Sequence, residues 1–418
     1  MLSARQQILF DFLNGSGESA FITGKAGSGK SFLLKYFVEN TTKDVVVLAT
    51  TGTAALNLEV GAQTIHSFFK LKPGQGTKYL SEPVRETLKN INTIIIDEVS
   101  MLRVDLIEHL AQLIKNARIG SGQYFGGLQM IFFGDLYQLP PVVKKGELKE
   151  LLNKFGGIHF FNAPTIKAMD LKVLELQESH RQQEGDFLTA LNHIRDATTT
   201  RGMARKINAR VGKPPEGVLT VTTTNAKAKD INDRNYAKLT GKEFTYTANV
   251  WGEMKDTEYP VEYDLKLKVG SKVQMTRNHP DLLWSNGSLG EIVSLEERSI
   301  VVKIEQHEYV IKRATWEKIE QVFNFKTKKV ENEVIGTFTQ YPIRLAWAIT
   351  IHKSQGQTYD KVIIDWGTGT FSEGQAYTAL SRCRTLEGLH MVSEIKPHYI
   401  ISNEVVKEYM SRVQTVPE

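Results

Sequence analysis

AFITGKAGSGKS, residues 20–31, passes from a short apolar strand through a glycine-rich loop into a helix. Its second part, GKAGSGKS at 24–31, fits the pattern G-x-x-x-x-G-K-[ST] in the strand–loop–helix setting that the pattern requires. Glycines at 24, 27 and 29 let the backbone curl until its amides converge on an anion. The first turn of the following helix adds partial positive charge. Lys30 is placed to reach β- and γ-phosphates, and Ser31 to hold Mg²⁺. Gly24, Ala26, Gly27, Ser28, Gly29, Lys30 and Ser31 form the expected phosphate cradle.

Outward from this loop the chain alternates strand and helix. Residues 3–13 have helical spacing, and Ser3 with Gln6 fits a capping box. Residues 45–49, 94–96 and 130–133 are continuous apolar runs, the mark of strands buried on both faces of a parallel sheet. Leu102, Leu106, Leu110, Leu113 and Ala117 mark one face of a helix between them. Residues 71–86, with Pro73, Gly74, Gly76 and Pro83, read as an excursion from the sheet. A strand at 173–176, helical spacing at 186–197 and a strand at 219–223 follow. From 243 to 340 the character changes to short β runs at 272–275, 291–295, 300–304, 308–312 and 337–340, divided by turns such as Ser285-Asn286-Gly287. Alternation returns at Leu345, so the β-rich stretch reads as an insert in a second α/β domain. Trp347, in the apolar LAWAI, reads as core.

Composition sets limits without choosing a function. The 418 residues are 41% hydrophobic and 24% charged, which fits neither a disordered chain nor a coiled-coil rod. No apolar run approaches the roughly 18 residues of a membrane helix, and MLSARQQILF lacks the features of a secretory leader. Cys383 is the one cysteine, which suits an intracellular, reducing compartment. Lys and Arg total 52 against 47 Asp and Glu, a balance of +5 that permits a polyanionic partner without demanding one.

Further motifs bear on chemistry. In IIIDEVSM, Asp97 and Glu98 stand at a strand end, where open α/β sheets place ligands. Asp97 suits Mg²⁺, and Glu98 suits a base for an attacking water. In GDLYQLPP, Gln138 follows another strand end and can face a γ-phosphate, or it can belong to a polar turn closed by two prolines. Arg181, in LQESHRQQ, and Arg382, in QAYTALSRCR, are candidates for stabilising a γ-phosphoryl transition state. No Asn-Lys-x-Asp guanine reader and no Leu-Ser-Gly-Gly-Gln stretch is present, against a GTPase or a transporter ATPase.

TGKAGSGKS, TTGTAALN with TIHSF, IDEVSM, GDLYQLPP, HRQ, LAWAITIHKSQGQT and QAYTALSRCR occur in one order. Together they resemble superfamily-one DNA helicases of the B type, in particular the Pif (petite integration frequency) family, with RecD- and Dda-type helicases as relatives. The likeness runs from Leu2 to about residue 390, and SMLRVDLIEHLAQLIKNAR resembles the family's signature helix. It implies an α/β chain of two RecA-like P-loop NTPase domains with a small SH3-like β insert in the second, and no long extension at either end. The first domain would be 1–170 with a wedge near 71–86, the second 171–242 and 341–405, the insert 243–340 and a tail 406–418.

The resemblance also implies roles. Gln6 would read adenine, in competition with its capping-box use, and Gly356 would join the nucleotide and DNA sites. Lys30, Glu98, Gln138, Arg181 and Arg382 would be catalytic, with Ser31 and Asp97 on the metal. Thr53, His66, Ser67 and Phe68, then Asn225, His352, Lys353 and Gln355, would contact single-stranded DNA. By pattern alone His66 and Phe68 read instead as helix-start and core residues. The implied activity is ATP-dependent 5′→3′ translocation and duplex unwinding with Mg²⁺, extending to G-quadruplexes or RNA–DNA hybrids, in replication, repair or recombination. The implied partners are single-stranded and tailed or forked duplex DNA, with no membrane, a monomer on DNA, and a cytoplasmic or nucleoid location in a bacterium or phage. Alternatives are a translocase that displaces proteins without efficient strand separation, and a nucleotide-gated clamp without productive hydrolysis.

Overall fold

The structure is a computed structural model describing residues 2–415 apart from 52–53, 56–57, 59, 72–79, 119–123, 178–184, 255, 257–258, 282, 285 and 325–328. Thr53, Arg181 and residues 72–79 of the expected wedge therefore lie outside the described residues. Contacts divide the chain into two compact units, Met1–Pro214 with Ile351–Glu418, and Pro215–Thr350.

The first unit is built on a parallel sheet. Its strands β1 (Ala20–Gly24), β2 (Val45–Ala49), β3 (Gln63–Thr64), β4 (Thr93–Asp97), β5 (Gln129–Phe133) and β6 (Lys172–Leu176) are joined by Gln414–Thr415. The order across the sheet is Gln414–Thr415, β6, β1, β5, β4, β2, β3, and each neighbouring pair is parallel. Strands β1, β4 and β5 are buried along their whole length.

Alternating side chains send each strand's apolar residues to two cores. Phe21, Ile94, Ile96, Met130 and Phe132 meet the helix Val104–Ala117, which contributes the expected Leu110, Leu113 and Ala117 together with Ile107 and Ile114. Ile22, Ile95, Ile131 and Phe133 meet Leu9 and Leu13 of helix α1 (Ala4–Gly15) and Leu33, Leu34 and Phe37 of helix α2 (Lys30–Asn40). The same unit holds the helix Asp186–Arg195, the parallel pair Val362–Asp365 and Leu389–Met391, and the helix Gln375–Leu380.

In the second unit Thr220–Thr222 pairs in parallel with Ala348–Thr350, and the helix Asn225–Ala237 follows the first of them. The rest is β structure. A five-stranded antiparallel sheet runs in the order His307–Ile311, Ile300–Ile304, Leu289–Leu295, Lys272–Met275, Ile343–Leu345. Its inward residues, among them Val273, Met275, Ile292, Ile300, Val302 and Ile343, form a core with Leu265 and Leu267. A long hairpin, Ala314–Asn324 with Lys329–Gln340, extends well beyond the expected strand at 337–340. Trp347 is half-buried rather than fully in the core.

The Phe132 ring is fully buried against Phe160, centroids 5.2 Å apart. Phe132→Ala is expected to cost about 3–5 kcal/mol, read as a lower urea midpoint for the sheet's unfolding.

Candidate active site

Because β1, β4 and β5 are parallel, their C-terminal ends open on one edge of the sheet. β1 opens into the glycine loop, β4 into Asp97 and Glu98, and β5 into Gly134 and Asp135. The order β1–β5–β4 sets the third opening between the other two. A cavity of about 600 Å³ lies there, lined by the loop from Ala26 to Ser31, by Gln6, Asp97, Glu98, Asp135 and Gln138, and by Gly356 and Arg382. That volume falls in the range of small-ligand sites.

Loop geometry explains its glycines. Gly24 leaves β1 at a φ of +157°, and a Cβ there would lie 2.5 Å from Ser28 Oγ and 2.6 Å from the Leu176 carbonyl oxygen. Gly29 caps α2 at a φ of +83° with no side-chain acceptor for the first-turn amides, which leaves them for an anion. Lys30 Nζ curls back on its own loop, donating to the carbonyls of Gly24 at 2.6 Å and Lys25 at 3.0 Å. Burial lowers the Lys30 ammonium pKa, while Asp135, Glu98 and Asp97 oppose that shift. A triphosphate would exchange those carbonyls for charged oxygens.

Gln6 forms the expected capping box and lines the cavity. It completes the capping box, accepting from Ser3 N at 3.0 Å, and its Nε2 donates to the Gly29 carbonyl at 3.5 Å. The cap thus fixes a buried amide beside the cavity.

Asp97 ends β4, and its carboxyl is pushed up to about 7, chiefly by burial and then by Glu98. Ser31 and Asp97 would hold Mg²⁺, and the set fits: both are oxygen donors, and a dication relieves the like-charge pair. Among the described residues no group of three or more His, Cys, Asp or Glu could hold a metal ion. When bound, the ion would neutralise charge developing on phosphate oxygens.

Glu98 takes a left-handed backbone, φ 52° and ψ 44°, unusual for a residue with a side chain. Gln138 is buried, its Nε2 3.4 Å from Asp135 Oδ2 and its Oε1 without a hydrogen-bond partner among the described residues. That oxygen can accept a hydrogen bond from water. Arg382 is only 3% exposed, held by the carbonyls of Thr378 at 2.9 Å and Gln357 at 3.0 Å while it lines the cavity.

Three residues missed from sequence complete the cluster. Asp135, 1% exposed, faces Arg195 at 3.6 Å. Arg195 also lies 3.5 Å from Glu175 and over the Tyr137 ring at 4.3 Å. The Tyr377 hydroxyl accepts from Ala26 N at 2.9 Å. Asp135 and Tyr377 stood inside motifs already singled out, whereas Arg195, one charge ending an amphipathic helix, gave no signal.

The described residues among the expected DNA contacts lie on several elements. His66 and Ser67 are exposed on Ile65–Phe68, Lys353 is exposed and His352 half-buried on Ile351–Ser354, and Asn225 is exposed at the start of its helix in the other unit. Two of the expected contacts are buried. The Phe68 ring packs in the core, edge-on to Phe69 at 5.0 Å. Gln355 is 7% exposed and donates to Glu98 Oε2 at 3.1 Å.

Backbone amides gathered at a helix start beside a carboxylate pair, on the open edge of a buried parallel sheet, define a P-loop nucleotide hydrolase. The profile of the PIF1-like helicase family matches residues 1–203, and that of the UvrD-like helicase C-terminal domain matches 345–389. The ATP-dependent DNA helicase Pif1 of Bdellovibrio bacteriovorus is 30% identical over 98% of this chain and 91% of its own. Pif1 helicase from Bacteroides, solved with ADP-AlF3 and single-stranded DNA, superposes with a TM-score of 0.82 at 34% identity, over 98% of this chain and 97% of that one. Pif1 helicase from Candida albicans does so at 0.81 and 28% identity, over 98% and 99%. The chain belongs to the Pif1-like helicase family, and its fold is the α/β fold of that family, with two RecA-like domains.

Lys30→Ala is expected to lower ATP turnover by at least about 10²-fold, since it removes the ammonium that would face the transferred phosphoryl group. Glu98→Gln should lower kcat by about 10²–10⁴-fold while nucleotide binding persists. Phosphate release and binding of a fluorescent ATP analogue measure the two effects.

Proposed function

We propose that this protein is an ATP-driven motor that moves 5′→3′ along single-stranded DNA and separates the duplex ahead of it. The observation that carries the reading is the single cavity joining Lys30, the Asp97–Glu98 pair and Arg382, in a chain whose relatives are named ATP-dependent DNA helicases. In this reading Lys30 and Arg382 neutralise the γ-phosphoryl oxygens. Gln138 orients the water, and Glu98 takes its proton as the water oxygen bonds to phosphorus and ADP leaves. Arg181 acts beside Arg382, Gln6 reads the base, and Ser31 and Asp97 hold Mg²⁺.

Thr53, His66, Ser67, Asn225, His352 and Lys353 form the DNA track, holding phosphates through hydroxyls, imidazoles and an ammonium. Such contacts tolerate any sequence, as a motor requires. Solved relatives described as bound to single-stranded DNA, and in work on forked duplex DNA, support that partner. The polarity rests on GDLYQLPP at 134–141. The domains are 1–170, 171–242 with 341–405, an SH3-like insert at 243–340 and a tail at 406–418, with the wedge at 71–86. Among the described residues no helix is long and apolar enough to cross a membrane. We assign the protein to the cytoplasm or nucleoid, in replication, repair or recombination.

A short duplex carrying a 5′ or a 3′ single-stranded tail, with ATP and Mg²⁺ at fixed salt, tests the reading, since DNA affinity depends on salt. Unwinding from the 5′ tail alone is expected. Unwinding from the 3′ tail would overturn the polarity. DNA-stimulated hydrolysis with no unwinding from either tail would leave a translocase that does not part strands.

A further inference from the structure

Glu98 is held from two sides by residues that have no role in the chemistry assigned above. Its carboxylate Oε2 accepts from Gln355 Nε2 at 3.1 Å, and its backbone carbonyl accepts from Thr50 Oγ1 at 3.0 Å. Gln355 Nε2 also lies 3.4 Å from Ser100 Oγ, and Gln355 Oε1 is buried with no hydrogen-bond partner among the described residues. The Gln355 side chain is therefore fixed through Glu98 and its neighbour. Glu98 itself stands in the left-handed backbone region, φ 52° and ψ 44°. A residue with a Cβ keeps that conformation only when its surroundings hold it there, and such positions cluster at switch and active sites.

Both restraining residues adjoin segments of the proposed DNA track. Thr50 follows β2 and precedes Thr53 by three residues. Gln355 follows directly on Ile351–Ser354, the helix that carries His352 and the exposed Lys353. DNA that moves either segment moves a bond to Glu98. An amide donor on one carboxylate oxygen lowers that oxygen's basicity toward the proton of a nucleophilic water, and the second oxygen is swung to wherever that bond directs it.

We infer that Gln355 is a positioning residue that restrains Glu98 while the DNA track is empty and releases it when DNA is bound, with Thr50 as the second restraint. The inference deepens the motor reading and rests on it. DNA then stimulates hydrolysis by freeing the base, in addition to any effect on ATP affinity.

The test uses the full chain, ATP and Mg²⁺, with phosphate release followed with and without saturating oligothymidylate. For Gln355→Ala the DNA-free kcat is expected to rise roughly tenfold, the size of effect that loss of one charge-assisted hydrogen bond produces. The DNA-saturated kcat and the KM for ATP should stay within about twofold, so the stimulation ratio falls roughly tenfold. Thr50→Val, nearly isosteric, should shift the ratio the same way and decides the matter if Gln355→Ala does not fold. An unchanged DNA-free rate with weaker oligothymidylate binding by fluorescence anisotropy would make Gln355 a DNA contact and overturn the restraint. Stimulation intact in both variants overturns this inference alone. A wild-type chain whose hydrolysis ignores DNA overturns the motor reading and the restraint together.

Discussion

A parallel sheet buried on both faces can present polar chemistry only where its strands end. β1, β4 and β5 have no wet face, so every polar group they bring to solvent must emerge at a terminus. Parallel pairing sends all three C-termini to the same edge, and the order β1–β5–β4 brings the glycine loop, Asp135 with Gln138, and Asp97 with Glu98 side by side. The loop adds the amides at the start of α2. Residues far apart in the chain thus reach one cavity without any strand carrying an exposed polar stripe.

Crowding charge into that edge has consequences that the structure records. Asp97, Glu98, Asp135 and Arg195 lie near enough to act on the ionisation of Lys30, and Glu98 on that of Asp97, and burial weakens the screening that water would provide. Lys30 answers by bonding to its own loop, and Asp97 by a raised carboxyl pKa. Arg195 leans on Asp135, Glu175 and the Tyr137 ring. Bound phosphate and cation would replace some of these contacts. A hydrolase that must couple ATP to movement depends on such alternatives.

Much of this was legible in the residue order. The loop at 24–31, the apolar runs of β1, β2, β4 and β5, and the acidic pair at 97–98 are local signals, because strand, turn and helix start are each set by neighbours in sequence. The capping box at Ser3 and Gln6 is equally local, and the structure forms it. Arg195 is another matter. Its charge on an amphipathic helix looks like any surface arginine until folding buries it beside Asp135. Phe68 shows the converse, since its place in the local pattern already read as core and its ring packs there. The long hairpin from Ala314 to Gln340 also escaped, because a hairpin that pairs with a third strand over only a few residues leaves a weaker imprint on sequence than a sheet buried on both faces.

The sequence by itself determined the class of the protein: strand, phosphate loop and helix at 20–40, carboxylates at a strand end, and the ordered motifs that follow. These depend on dihedral preference, apolar periodicity and the chemistry of single side chains, all of which act over a few residues. Only the tertiary structure decided which distant groups share the cavity. Gln355 meets Glu98 across 257 positions of chain, and Tyr377 meets Ala26 across 351. Nothing near Gln355 in the chain distinguishes an amide facing DNA from one facing a carboxylate. That difference is one of direction, and direction is set by how the packed elements orient the helix before it.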